Sequence, residues 1–549
     1  MGAVNNPNEF VALLGDRGSL QPLSVTHQTL IFYITPSCHA YVRWRTTASG
    51  SGWGRSIVIS LVKGSGAGAL DKIALPATRA AHLWSALPHS ARHDARPDVN
   101  PSKAVALLGI IVGGALLMWP AFFNGYPLLY SDTNAFLDQG VQGLMIWDKP
   151  FIYGPWLLAM HWRLSLWLPC AAQALLLSSM IWLARAVISP PTATRHVVVC
   201  AVLAALTAAP WFASLLMPDI FAVMVVLGTF ILAFGDRLAR QTRIAVYLAT
   251  ALAIAVHLTH LLIAAAVIAV VAALWRAALW RALIPITLAV ALIAATNIVG
   301  FGKLAISPFG SVFLLARLAS DGPAARTIAR ACPGAGWHMC DWVDRIPQDS
   351  DDFLWDGKGP VWSHPGGPIA LSGEADTIVR QTILAEPVTV AMIAFENTWQ
   401  QLGLIALGDT LRPQWLEGTV GKTLTAYFPS RELAAYLASM QAADALAPAA
   451  ARLNALQVAA VVAGLFATLG LLAGAARRGD RTIAALCLMA LLAIAVNAFA
   501  TGALSHPHHR YQTRIAWLLV LVPLIAIPRA ASARLRATGH GGKSVLTNP

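Results

Sequence analysis

Charge is scarce in this chain. Asp, Glu, Lys and Arg make up 12% of its 549 residues, hydrophobic residues make up 57%, and the mean hydropathy is +0.61. A soluble domain carries about 25% charged and about 45–50% apolar residues, so the composition excludes an ordinary soluble globular protein. Cysteine is scarce as well. There are six, and Cys38, Cys170, Cys200 and Cys487 stand alone, which excludes a disulfide scaffold and a CxxC metal knuckle. Acidic residues are outnumbered by basic ones, 26 against 39, for a formal net charge of +13. In a soluble protein that excess would suggest nucleic acid. In a chain of long apolar runs it belongs to cytoplasmic loops, and no nucleic-acid partner is expected. Internal repeats and coiled-coil heptads are absent, and Met1 to Gly15 has neither the basic start nor the continuous apolar stretch of a signal peptide.

What the chain does have is a series of apolar runs of bilayer length. Residues 1–102 are rich in Gly, Ser, Arg and His, with apolar runs too short to span, and are expected to form a poorly ordered cytoplasmic extension. From Lys103 onward, candidate spans cover 104–123, 168–188, 197–216, 219–234, 282–302, 456–475, 482–503 and 514–528. Positive charge decides two ambiguous stretches. Residues 151–167, broken by Pro155, His161 and Arg163, are read as interfacial. The run from Arg243 to Arg276 is read as two short helices turning at His257-Leu-Thr-His260. Arg185, Arg195, Arg237, Arg240, Arg243, Arg276, Arg281, Arg477, Arg478 and Arg481 then collect on one side, as the positive-inside rule requires. The expected fold is an all-α polytopic membrane protein of about ten transmembrane helices. Its parts are a transmembrane core at 103–302 with a first outer loop at 124–167, a large extracytoplasmic insertion at 303–453, C-terminal helices at 454–528 and a basic cytoplasmic tail at 529–549.

This orientation places the membrane-awkward polar residues on the extracytoplasmic side. The first outer loop reads Tyr126-Pro-Leu-Leu-Tyr-Ser-Asp132-Thr and ends at Asp148-Lys149-Pro150. Met217-Pro-Asp219 opens a span, followed by His257 and His260, and then Ser505-His-Pro-His-His509-Arg510-Tyr-Gln-Thr-Arg514. Ionisable groups at the bilayer edge are costly unless paired or wetted, so their clustering on one face points to a functional site. Asp132 reads equally as a helix cap, Asp148 as a partner of Lys149 or a cap, and Asp219 as a first-turn acid favoured by the helix dipole. His257 and His260 share a helical face, as metal ligands or as plain interface residues. The cationic segment 506–514 breaks the positive-inside pattern, and an anionic ligand such as phosphate is the simplest cause. Cys332 and Cys340, in an oxidising compartment, are expected to form a disulfide. The acidic run at Asp349, Asp351, Asp352 and Asp356, beside Trp355 and Trp362, reads as a solvated loop or as a sugar-binding rim. Residues 386–407 form an amphipathic helix expected to lie flat on the membrane.

This layout resembles the GT-C superfamily of membrane glycosyltransferases. The resemblance rests on Tyr130-Ser131-Asp132 in the first outer loop, on the interfacial 151–167 segment after Asp148-Lys149-Pro150, and on a second acid, Asp219, in the next outer turn. It covers roughly residues 103–302, and the chain lacks the first-loop acidic pair of the protein O-mannosyltransferases. The resemblance implies a polyprenyl-phosphate-linked sugar donor, a glycan or lipid acceptor among membrane lipids, and transfer on the outer face of a bacterial inner membrane. It places Asp132 as the catalytic base, with Asp219 holding a divalent cation, alone or with Asp132, or positioning the acceptor. Asp148, Lys149, His257, His260, His509, Arg510 and Arg514 stand as substrate-binding candidates. The competing readings are a polysaccharide polymerase or O-antigen ligase, a transporter, and a non-catalytic envelope assembly protein.

Overall fold

The computed structural model describes the backbone of residues 29–35, 38–49 and 52–63, together with residues 101–413 and 417–526. The chain divides into two units, 1–99 and 100–549. In the first, three strands rich in β-branched residues, β1 (Thr29–Thr35), β2 (Cys38–Ser49) and β3 (Gly52–Lys63), form an antiparallel meander in the order β1-β2-β3. The rest of the expected 1–102 extension, and the basic tail at 529–549, lie outside the described residues.

The described part of the second unit is helical, apart from one isolated parallel bridge between Leu128 and Leu215. Among the described residues, four helices are long and apolar enough to cross a membrane: Trp167–Ile188, Arg276–Phe301, Asn454–Arg478 and Arg481–Ala503. The bent pair Gly367–Ala385 and Pro387–Gly403 makes a fifth if counted as one span. The remaining expected spans are shorter or broken. Residues 104–123 break after Leu116 and resume at Trp119-Pro120, and 197–216 break at Thr207, ahead of Pro210. Proline lacks the N–H that would carry a helix across these points. Pro218–Phe234 and Leu258–Leu274 are single apolar helices below full-span length. Seventeen residues reach only about 26 Å at 1.5 Å each, short of the roughly 30 Å hydrocarbon core.

The centre of the bundle is α1 (Phe221–Phe234), buried around its whole circumference from Phe221 to Ala233. A helix apolar on every face belongs inside a bundle. It packs against α2 (Arg240–Ala255), α3 (Leu258–Leu274) and α4 (Arg481–Ala498). A Cβ at Gly228 would come within 2.1 Å of Thr250 Oγ1, so only glycine lets α1 and α2 approach this closely. Residues 303–453 divide in two. Helices Gly310–Ser320, Pro323–Ala331, Ser350–Trp355 and Gly367–Ala385 enclose their own core around Leu315, Phe353 and Leu371. Downstream, Leu407, Leu424, Tyr436 and Leu446 return to the main bundle core.

Candidate functional site

Two backbone contacts bring two of the separate polar segments together. The Leu128 N–H donates to Ser214 O and the Leu216 N–H to Leu128 O, so the stretch before Asp132 runs beside the turn before Asp219. Gln441 clamps Leu129 from the other side, its amide donating to Leu129 O at 2.7 Å and its carbonyl accepting the Leu129 N–H at 3.1 Å. The helix Ser131–Gln142 then starts at a fixed place. The Thr133 hydroxyl accepts the Tyr130 N–H at its first turn, and the Asp132 carboxylate reaches away to Lys149 and Arg510.

Asp219 lies in a single 3₁₀ turn, Pro218–Ile220, leading into α1, and its side chain is 1% exposed. Arg510 grips it with a fork, Nε to Oδ1 at 3.0 Å and Nη2 to Oδ2 at 2.9 Å, and Arg514 Nη1 adds a contact at 3.3 Å. Such bidentate geometry suits the planar guanidinium and fixes its orientation. Both arginines come from the short helix His509–Ala516, where a spacing of four residues puts them on one face. Arg514 also donates to Thr259 Oγ1 and to Asn497 Oδ1, each at 2.9 Å. Arg510 extends from its fork to Asp132 Oδ2 at 3.4 Å and lies over the Tyr130 ring, 4.7 Å from its centroid. Its backbone N–H, near the start of its helix, donates to Asp409 Oδ2 at 2.8 Å.

Asp132 differs from Asp219. Its side chain is 34% exposed, and its partners are Lys149 Nζ at 3.3 Å and Arg510 at 3.4 Å, looser than the Asp219 fork. Lys149 is further paired with Asp148. Burial alone would raise the Asp132 carboxyl pKa, but the charges of Lys149 and Arg510 outweigh it and hold the pKa below the usual carboxylate value. For Lys149 the sign reverses: burial lowers its pKa, while Asp132 and Asp148 outweigh that and raise it. The cluster is thus a chain of alternating charges, Asp148, Lys149, Asp132, Arg510, Asp219 and Arg514, buried at Asp219 and partly open at Asp132 in its middle.

Several sequence expectations change here. Arg510 and Arg514 both pair with a buried carboxylate, Asp219, a counter-charge within the chain that the reading of 506–514 as an anion site did not foresee. Asp219 cannot touch an acceptor at 1% exposure, and a cation placed on it would meet two guanidinium groups. The Asp132–Asp219 pair therefore does not fit a divalent metal, and no group of three or more His, Cys, Asp or Glu among the described residues could hold one. His257 begins α3, with its Nδ1 accepting from the Thr259 backbone N–H at 3.3 Å, and His260 Nδ1 donates to Ala253 O at 2.6 Å. The two rings lie 5.2 Å apart behind Arg514's partner Thr259. His509 Nδ1 accepts the Ala406 N–H at 3.0 Å. Cys332 and Cys340 are disulfide-bonded. Asp351 of the acidic run pairs with His508 at 3.0 Å. Asp409, Gln441 and Asn497 were not singled out from sequence. Only Asn497, a lone amide in an apolar span, carried a local signal.

No protein-family model, curated protein or solved structure matches the chain.

Proposed function

We propose that this chain is a membrane glycosyltransferase that moves a sugar from a polyprenyl-phosphate-linked donor to an acceptor hydroxyl at the extracytoplasmic face of a bacterial inner membrane, in cell-envelope glycan assembly. The observation that carries the reading is the state of Asp132: a partly exposed carboxylate, held ionised by the two cations that flank it, within an otherwise largely buried chain of ion pairs. An ionised carboxylate can take a proton from a hydroxyl, and two cations beside it can receive a phosphate.

The chemistry balances on these groups. The acceptor O–H gives its proton to Asp132 as its oxygen bonds to the anomeric carbon. The bond from that carbon to the phosphate oxygen breaks, and its electron pair leaves with the lipid phosphate. Arg510 and Lys149 neutralise that leaving charge. A phosphate drawing these cations away from Asp132 removes what lowered its pKa, so donor binding makes the carboxylate a stronger base. Asp219 acts through Arg510 as a positioning residue. A ligase or polymerase reading centred on free arginines has less support, because Arg514 is 0% exposed and Arg510 meets the partly open side of the cluster only beside Asp132.

The test is complementation of a deletion strain, with membrane levels of each variant matched. The expected result is loss of one envelope sugar on deletion, rescue by wild type, and no rescue by Asp132→Ala. Full rescue by Asp132→Ala would remove the proposed base.

A further inference from the structure

Helix Pro387–Gly403 is built the wrong way round for water. Its large apolar residues Val388, Met392, Phe395 and Trp399 are between 59% and 70% exposed, while the residues it buries are Asn397 and Gln401. Spacings of four, three and four place the apolar set on one edge of the helix. A contiguous apolar edge of this kind marks an interaction surface.

We infer that Pro387–Gly403 lies in the bilayer interface with its Val388-Met392-Phe395-Trp399 edge among lipid acyl chains, and that this contact holds the His508–Arg510 segment in place. Three observations favour lipid over another protein. The edge continues a surface already suited to lipid, because the helix packs on the end of the candidate span Arg481–Ala503, where Leu492 and Phe499 are themselves exposed. The packing is close: a Cβ at Gly502 would stand 2.5 Å from Asn397 O. The chain also turns by 103° between Gly367–Ala385 and Pro387–Gly403, and Glu386, at that turn, is held by Arg326 and Arg330 of the neighbouring outer helix. The helix is thereby set crosswise, with its polar attachment on one side. Finally, Glu396 is exposed next to Phe395. A charged group there fits a helix at headgroup depth and not one sunk in the hydrocarbon.

The buried face carries the consequence. The Gln401 amide donates to His508 O at 2.7 Å, and its carbonyl accepts the His508 N–H at 2.9 Å. Asn397 donates to Asp321 at 3.0 Å. Two residues beyond His508 is Arg510, so whatever seats this helix also seats the guanidinium that pairs with Asp132 and Asp219.

The experiment uses the full chain in phosphatidylcholine nanodiscs, with an environment-sensitive nitrobenzoxadiazole label on Phe395→Cys and, separately, on Trp399→Cys. Both positions are exposed, so the substitutions remove little packing. Cys38 is replaced by serine. Cys170, Cys200 and Cys487 are buried and stay unlabelled in the folded protein. Asp376→Cys, exposed on the preceding helix, is the reference. The expected result is several-fold stronger quenching of the Phe395 and Trp399 labels by lipids brominated on their acyl chains than by aqueous iodide, with the reverse at position 376. Phe395→Asp is expected to raise hydrogen exchange at residues 508–510 by tenfold or more. Iodide quenching without bromolipid quenching at 395 and 399 would overturn the lipid contact, as would labels shielded from both quenchers in a cross-linkable dimer. Unchanged exchange at 508–510 would overturn its link to Arg510.

Discussion

Replacing Asp219 by Asn leaves the buried Arg514 without a counter-charge and Arg510 with only its longer contact to Asp132, because these side chains are 0% and 7% exposed and both lean on the Asp219 carboxylate. Removing one partner of a buried ion pair costs about 3–5 kcal/mol, most of it the desolvation of the charge left behind. Asp132→Asn breaks two contacts of 3.3 and 3.4 Å at a partly exposed carboxylate, where about 1 kcal/mol or less is expected. A change of 1 kcal/mol moves Tm by about 2–4 °C in domains of 150–250 residues and by less in longer chains, so Asp219→Asn should lower the apparent Tm on the order of 5–10 °C. The assay follows labelling of the buried Cys170, Cys200 and Cys487 by a thiol-reactive fluorophore during heating, in one detergent at fixed protein concentration. Asp219→Asn should melt clearly early and Asp132→Asn close to wild type. Equal Tm for the two variants, or a wild-type Tm for Asp219→Asn, would refute the division into a buried anchor, Asp219, and a partly exposed carboxylate, Asp132.

Other predictions rest on neighbouring contacts. Gly154→Ala would drive a Cβ to within 2.5 Å of Gln139 Cβ and 2.6 Å of Phe136 O, displacing the helix that carries Asp132; activity should fall with little loss of membrane level, read by complementation. With its folded pKa lowered, Asp132 contributes stability that is fully present above its unfolded value of about 3.9 and is lost only as pH falls through the lower folded value. The stability difference between wild type and Asp132→Asn should therefore hold from pH 8 to pH 5 and shrink only below about pH 4. Cys332→Ser removes a disulfide spanning a separation of 8 residues. Chain entropy assigns that loop roughly 2–3 kcal/mol, so protease sensitivity should rise within 310–385 and not in the membrane bundle.

Much of the site could be read from the sequence because charge in an apolar chain is conspicuous. Asp132, Asp148, Lys149, Asp219, Arg510 and Arg514 stand out as ionisable groups at the edges of apolar runs, and the fold brings all six into one chain of ion pairs. Their pairing could not be read. Arg510 meets Asp219 across 291 residues and Asp132 across 378, and no local pattern records such a contact. The same gap explains the anionic ligand expected for 506–514: without knowing that Asp219 is buried against both arginines, an external anion is the simpler partner. Helix ends were misjudged for a local reason. Hydropathy continues smoothly through Leu117-Met118 and Thr207-Ala208, whereas the backbone breaks there, ahead of Pro120 and Pro210.

The central claim is that Asp132 takes the acceptor proton while Asp219 only holds Arg510. It is tested most directly by measuring sugar transfer with purified protein in nanodiscs, from polyprenyl-phosphate-linked sugars to membrane-extracted glycan acceptors, for wild type, Asp132→Asn and Asp219→Glu. The account predicts transfer by wild type, a loss of 100-fold or more for Asp132→Asn at unchanged Tm, in line with the ~10²–10⁴-fold that a general base contributes, and partial retention for Asp219→Glu, which keeps the charge. Transfer by Asp132→Asn at the wild-type rate would contradict it.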